Sequence, residues 1–321
     1  MQKLVINNYN NAVTSIKPTD SRLHFGHWIG NISSLIKYQE EKCCFFIFAD
    51  LQMQNMISDT ISDTSIKNNM ISMMRQMINL GVNPKKVTFA IESVIKKEQL
   101  SNVIILSDYF TNTRINRLPL FKQQSSPCKL SMYVFPILQA LDFLITQSDI
   151  AFSNKDNKPF IELINEIFKT INRSKKYNFP HINLITGVVD FLHGFDGNKM
   201  SKSHNNCIYL DDTYDDIRSK VNKMYTDANR IHGNERENIK DTNIVFKCLR
   251  AFCQPEDYNS ISQQYENGEM TDTYVKSYLS DLIYQIAQKS QSNSTHFTDN
   301  ELWDILLNGS NRIKANNKLV V

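Results

Sequence analysis

Four basic side chains stand out by type and spacing: His24 and His27 near the start, and Lys199 and Lys202 past the middle. Two histidines three residues apart share one face of a helical turn, where each can donate a hydrogen bond to a phosphate oxygen. Gly26 lies between them and leaves the helix backbone open to close approach by a nucleotide. A helix N-terminus at that point favours phosphate through its free N–H groups and its dipole. The second pair sits in Gly194-Phe195-Asp196-Gly197-Asn198-Lys199-Met200-Ser201-Lys202-Ser203, where two glycines bracket a turn and two lysines follow as point charges for pyrophosphate. Such a lysine helps only if its contact strengthens in the transition state. Each segment also has a plain reading: a helix start with two surface histidines, and a solvated basic loop. K-M-S-K-S behind a G-x-D-G turn is specific enough to point to nucleotide chemistry.

The elements that must position these groups follow from the hydrophobic pattern. Leu4 to Ile6 and Ala12 to Ile16 read as short strands, and Pro18-Thr19-Asp20-Ser21 as a turn. A helical pattern opens at Leu23 and ends near Glu40-Glu41-Lys42. The continuous apolar run Cys43 to Ala49, closed by Asp50, reads as a buried parallel strand. Ile66 to Leu80 has helical spacing and is rich in methionine; Val87 to Ile91 is another buried strand. Met132 to Thr146 and Pro159 to Asn172 read as helices, and Ile182 to Val188 as a strand. This alternation predicts an α/β fold with a doubly wound, Rossmann-like parallel sheet over residues 1–210. Charged helical segments follow at Asp215 to Met224, Asn243 to Phe252, Tyr274 to Ala287 and Asp299 to Leu307. They predict an all-helical domain over residues 211–321. Ser290 to Thr295 is the single low-complexity stretch and reads as a loop.

Composition narrows the class. The 321 residues are 41% hydrophobic and 21% charged, with a net charge of +3, so any nucleic-acid partner needs a local basic face. The six cysteines form no C-x-x-C pair, which argues against structural zinc and a disulfide framework and for a reducing compartment, the cytoplasm. No signal peptide or membrane span is read from the sequence, and no metal-ligand set is expected.

The paired signatures, His24-Phe25-Gly26-His27 and Lys199 to Ser203, look like the ATP-handling motifs of class I aminoacyl-tRNA synthetases. The chain resembles the bacterial tryptophanyl-tRNA synthetase family over roughly Val13 to Asn311. Further segments carry the likeness: Pro18-Thr19, Phe46 to Asp50, Arg117 to Lys122, Phe135 to Asp142, Ser201 to Asp211 and Met224 to Asp227. The resemblance implies that ATP is held bent, that an amino-acid carboxylate attacks its α-phosphorus and that pyrophosphate leaves. It assigns catalysis to His24, His27, Lys199 and Lys202. It assigns ATP binding to Lys17, Thr19, Gly26, His27, Asn31, Gly194, Asp196, Met200 and Ser201. Ser15, Phe135, Gln139, Asp142, Asp156 and Asn157 would bind the amino acid, with Asp142 accepting the indole N–H of tryptophan. A neighbouring backbone group or solvent is the ordinary alternative partner for Asp142; its apolar surroundings imply burial and hence a partner. ATP with Mg2+, tRNA-Trp and a homodimer are implied as well.

Departures cluster in the amino-acid half. Ser15 replaces a glycine, the P-T-G turn is extended to Pro18-Thr19-Asp20-Ser21-Arg22, Phe135 replaces a tyrosine, and Asn157 is one methylene shorter than the family's glutamine. Asp156 is retained. Leu51 to Asn55 stands where the family has W-H-A-L-T, and its final helix is expected to be missing or rebuilt. Arg218, Lys220, Lys223, Arg230, Arg236, Arg312, Lys314 and Lys318 leave two readings open, an RNA-facing surface or an ordinary solvated one. Three functions follow: a tryptophan–tRNA ligase, a paralogue that activates tryptophan or another amino acid for a different acceptor, and a non-enzymatic nucleotide or RNA binder. Intact signatures in both places weigh against the last.

Overall fold

The computed structural model describes residues 10–54, 63–122, 128–173, 177–226, 243–292 and 296–316. The strand expected at Leu4 to Ile6, residues 293–295 of the low-complexity stretch, Asp227, and the basic residues Arg230, Arg236 and Lys318 lie outside them.

Among the described residues, five parallel strands form one sheet: β1 (Asn11–Ile16), β2 (Cys43–Phe48), β3 (Val87–Ile91), β4 (Ile150–Phe152) and β5 (Asn183–Ile185). Their order is β3-β2-β1-β4-β5, the doubly wound arrangement. Thr14 lies opposite Phe46, and Val13 opposite Ala151. Because strand order reverses between β1 and β4, the connections leave on opposite faces and open a crevice beyond the carboxyl ends of these two strands. The sequence pattern did not reveal β4. Three apolar residues between Asp149 and Ser153 are too short for a periodicity signal, and they become a strand only by pairing on both sides.

Side chains alternate across the sheet. Phe46, Phe48, Phe89 and Phe152 pack to one side with Met70, Met73, Met74 and Met77. Val13, Ile47, Ala90 and Ala151 face the other side, with Leu141, Leu144, Ile164 and Ile167. The first connection runs through α1 (Phe25–His27), a π-helical stretch Trp28–Ile32, and α2 (Ser33–Tyr38). Then come α3 (Asp50–Gln54), α4 (Asp63–Leu80), and four short helices after β3: α5 (Glu92–Ile95), α6 (Leu100–Ser107), α7 (Asn112–Ile115) and α8 (Pro119–Lys122). The sequence reading had no helices for this last stretch. α9 (Leu130–Ile145) and α10 (Lys158–Asn172) complete the layer; α10 buries Phe160, Ile161, Ile164, Ile167, Phe168 and Ile171 along one face.

Beyond Asp211 the described chain is helical: α11 (Tyr214–Asn222), α12 (Ile244–Phe252), α13 (Pro255–Glu266), α14 (Asp272–Gln291) and α15 (Asp299–Asn316). α13 was not expected. These helices share one apolar cluster with the sheet, which extends from Ala12 through Met74 to Leu279 and Leu306. α15 lies on edge strand β3: Ile91 donates its N–H to Ser310 Oγ at 2.9 Å, and Arg312 donates to Thr88 Oγ1 at 2.5 Å. Gly309 permits this approach, since a Cβ there would stand 2.1 Å from the Phe89 carbonyl oxygen. A covered edge cannot template pairing with another chain. The loop expected from Ser290 is corrected at its start. Ser290 and Gln291 end α14, and Ser290 is buried, donating to Leu210 O at 2.5 Å.

Candidate active site

The crevice at the sheet's switch point is a cavity of about 510 Å³. Its walls are the ends of β1 (Val13 to Lys17) and β4 (Ala151 to Asn154), the first turn at His24 to His27, one face of α9, and the loop Lys199 to Ser203. The two signatures, some 175 residues apart in sequence, are tied by main-chain bonds. Phe25 N–H donates to Ile208 O at 3.0 Å, and Leu210 N–H to Leu23 O at 2.8 Å. The segment after the lysines therefore runs antiparallel to the segment before the histidines, with His24 bridged to Tyr209.

At one end of the cavity His24 and His27 stack, with ring centroids 3.6 Å apart. His27 Nδ1 accepts the His24 backbone N–H at 3.3 Å, which leaves Nε2 as its donating nitrogen. His24 Nδ1 is buried without a hydrogen-bond partner. Burial, then the neighbouring Lys202 and Lys199, pushes the His24 imidazole down to about 3. Burial, then His24 and Lys202, holds His27 well below its ordinary range. Both rings are neutral donors at pH 7, so the positive charge resides on the lysines. Gly26 has a local reason as well: a Cβ there would sit 2.9 Å from the His24 ring.

Each signature lysine is held by a carboxylate. Lys199 pairs with Asp156, and Lys202 with Asp20 at 2.9 Å. Lys199 and Asp156 are partly exposed, so their pair adds little stability and parts readily, whereas the Lys202 ammonium is enclosed and has Asp20 as its ion-pair partner. The loop that carries the lysines is anchored by Asn206, which the sequence reading missed. Asn206 is buried; it donates to Asp196 Oδ1 at 2.7 Å and Lys199 O at 3.0 Å, and accepts Ser201 N–H at 2.8 Å. Gly197 turns this loop at φ +84°, a conformation that favours glycine.

At the other end Asp142, Gln139 and Phe135 of α9 reach the cavity. Asp142 is buried and pairs with Lys96 Nζ at 2.7 Å; Lys96 also pairs with Glu92 at 2.7 Å. Burial pushes the Asp142 carboxyl up to about 7 against the pull of Lys96, and Glu92 adds to the rise. Burial works to lower the Lys96 ammonium, but Asp142 and Glu92 together hold it above its ordinary range. Glu92 and Lys96 were absent from the sequence reading, although an acid four residues before a lysine is a visible helical pair. Gln139 Oε1 is buried without a partner. Lys17 lies 4.6 Å from the Phe135 ring centre, and burial lowers its ammonium to about 8, against Glu92.

The remaining candidates divide. Ser15, Thr19, Asn31, Asn157, Met200 and Ser201 line the cavity. Asn31 donates to Thr14 Oγ1 at 2.5 Å, and Thr14 to Phe152 O at 2.7 Å, so Asn31 also braces the β1–β4 junction. Asn157 donates to Ser153 Oγ at 2.7 Å. Asp156 stands beside Lys199 and not with Asp142. Gly194 and Asp196 are not among the lining residues, and they shape the lysine loop from behind. Among the described residues no group of three His, Cys, Asp or Glu side chains could hold a metal ion.

A fold of this kind with both signatures at its switch point is that of a class I aminoacyl-tRNA synthetase. The chain belongs to that family: the model for class I tRNA synthetases of the W and Y type matches residues 7–288. Among curated proteins, it is similar to the tryptophan–tRNA ligase of Streptococcus mutans, at 30% identity over 93% of this chain and 92% of that one. The tryptophan–tRNA ligase of Chlamydia caviae is 28% identical over 88% and 84%. Among solved structures, the tryptophanyl-tRNA synthetase of Campylobacter jejuni, complexed with ADP and tryptophan, has the same fold, with a TM-score of 0.72 and 22% identity over 95% of each chain.

Proposed function

We propose that this protein activates tryptophan with ATP and transfers the tryptophanyl group to tRNA-Trp. The observation that carries this reading is one cavity with phosphate-directed donors at one end and a buried carboxylate acceptor at the other. ATP phosphates lie between His24, His27 and the lysine loop, and the tryptophan ring points toward Asp142. The tryptophan carboxylate attacks the α-phosphorus, the bond to the β-phosphate oxygen breaks, and pyrophosphate leaves. Polyphosphate charge draws Lys202 from Asp20 and Lys199 from Asp156, so their contacts strengthen as charge develops on the leaving group. The neutral histidines donate N–H bonds to the phosphates without adding charge. A tRNA 3′-terminal hydroxyl then attacks the acyl carbon and AMP departs. Magnesium accompanies ATP as part of the substrate.

We assign residues 1–210 to catalysis and the helices of residues 211–321 to tRNA recognition. We also propose a homodimer. Leu100 and Ile104 of α6 and Leu130 of α9 are 70%, 57% and 82% exposed, and α6 packs against α9. All six cysteines are free thiols, which supports a cytoplasmic assignment. No described helix is long and apolar enough to cross a membrane.

A second reading keeps the activation step and changes the amino acid or the acceptor. It is favoured by the shorter Asn157 at the cavity wall. Amino-acid-dependent ATP–pyrophosphate exchange, run with tryptophan beside the other proteinogenic amino acids, separates the two. Exchange with tryptophan, followed by charging of tRNA-Trp, supports the first; exchange with another amino acid alone establishes the second.

A further inference from the structure

Asp142 does not stand alone. Lys96 donates hydrogen bonds to Glu92 Oε1 at 2.7 Å and Leu138 O at 2.8 Å, and its ammonium forms an ion pair with Asp142 Oδ1 at 2.7 Å. Its charge is thus shared between two buried carboxylates. Neither Lys96 nor Glu92 borders the cavity, whereas Asp142 does. Glu92 is fixed in turn: Gln52 donates its backbone N–H to Oε2 at 3.1 Å and its side-chain amide to Oε1 at 2.7 Å. Leu138 lies one turn before Asp142 on α9, so Lys96 ties both the carboxylate and the turn that carries it.

We propose that Lys96 is a positioning and specificity-determining residue, which holds Asp142 ionised so that its carboxylate accepts a ring N–H from the amino acid. This rests on the tryptophan-activating reading above. The physical need is plain. Asp142 and Glu92 are both buried, and without the ammonium two carboxylates would face each other in a poorly solvated site. Asp142 would then take up a proton and lose the anion that prefers an N–H donor. The charged groups facing Asp142 are Lys96 and Glu92; Lys17 at the end of β1 and Asp50 at the start of α3 stand in the field of Glu92.

The test compares tryptophan with its benzothiophene analogue, which has sulfur in place of the ring N–H, in ATP–pyrophosphate exchange. The wild-type protein should prefer tryptophan above neutral pH and lose that preference as pH falls below about 7, where Asp142 protonates. Lys96→Met should raise KM for tryptophan about 10- to 100-fold with little change in kcat, erase the selectivity, and move the pH midpoint upward. Glu92→Gln/Lys96→Met removes both charges of that pair and keeps the volume, which spares the fold the unpaired Glu92 of the single variant. It should retain the raised KM and the lost selectivity. Wild-type KM and selectivity in the double variant would overturn the proposal, because Lys96 would then only neutralise Glu92. A wild-type protein with no preference for tryptophan over the analogue at any pH from 6 to 8 would overturn it whatever the variants do. Absence of any tryptophan-dependent exchange by the wild type would instead remove the functional reading, and this proposal with it.

Discussion

The two ends of the cavity hold charge in opposite ways. At the phosphate end the cations Lys199 and Lys202 sit on a loop, partly exposed, each paired with a carboxylate that a polyanion can outcompete. At the amino-acid end the cation Lys96 is buried between two carboxylates and a carbonyl. The first arrangement suits groups that must change partner as pyrophosphate forms. The second suits a group that must not move, because discrimination between rings depends on a fixed acceptor. Exposure makes the first cheap to rearrange; burial makes the second costly to disturb.

Substitutions can break this contrast. The largest effect is expected for Lys202→Ala, which should lower kcat for pyrophosphate exchange about 100- to 1,000-fold. The thermal midpoint should hardly move, since the pair with Asp20 is partly exposed. A large loss of stability instead would mean that the loop is as rigid as the opposite end. Next comes Asp142→Asn, which replaces an anionic acceptor by a neutral amide. KM for tryptophan should rise about 10- to 100-fold with a smaller change in kcat, read by steady-state exchange. An unchanged KM would remove the acceptor role. Asn206→Ala strips three hydrogen bonds from a buried anchor. Unfolding in urea should report about 1–3 kcal/mol of lost stability, together with weaker ATP binding by calorimetry.

The smallest effect concerns pH and sharpens the picture of the histidines. His24 falls to about 3 in the folded protein, below its ordinary 6.5. Between these values the unfolded chain binds more protons than the native one. The contribution of neutral His24 is therefore complete above pH 6.5 and is lost as pH falls through that window. Relative to His24→Asn, the wild type should lose at most about 1.4 kcal/mol per pH unit there and nothing above pH 6.5. Denaturation series at several pH values would measure it, and parallel curves throughout would mean that the ring is hydrated.

The phosphate end was the more legible. His24, Gly26, His27, Lys199 and Lys202 are short motifs whose chemistry is visible in their types and spacing. Strand β2 was legible too, because a strand buried on both faces is a continuous apolar run, and β1 and β3 showed shorter apolar stretches of the same kind. β4 was not, being three residues long. Asp196 shows the limit of motif reading. It lies inside the signature, yet it braces Asn206 and lines no part of the cavity. Asp156, assigned with the amino-acid group, lies instead beside Lys199, since the helical turn that carries it faces the loop. Glu92 and Lys96 went unread because a helical i, i+4 pair looks the same on a surface as in a core.

By itself the sequence determined the sheet's parallel character, the placing of glycine at the signature turns, and the presence of phosphate-directed donors at two distant points. These depend on local pattern and on side-chain chemistry. Only the tertiary structure decided which carboxylate meets which lysine, that Lys96 lies under Asp142, and that α15 covers β3. Those outcomes depend on burial and on contacts between residues up to 224 positions apart, as in the bond from Arg312 to Thr88. Local periodicity carries no information about such distances, and the strength of a charge depends on how far it is removed from water.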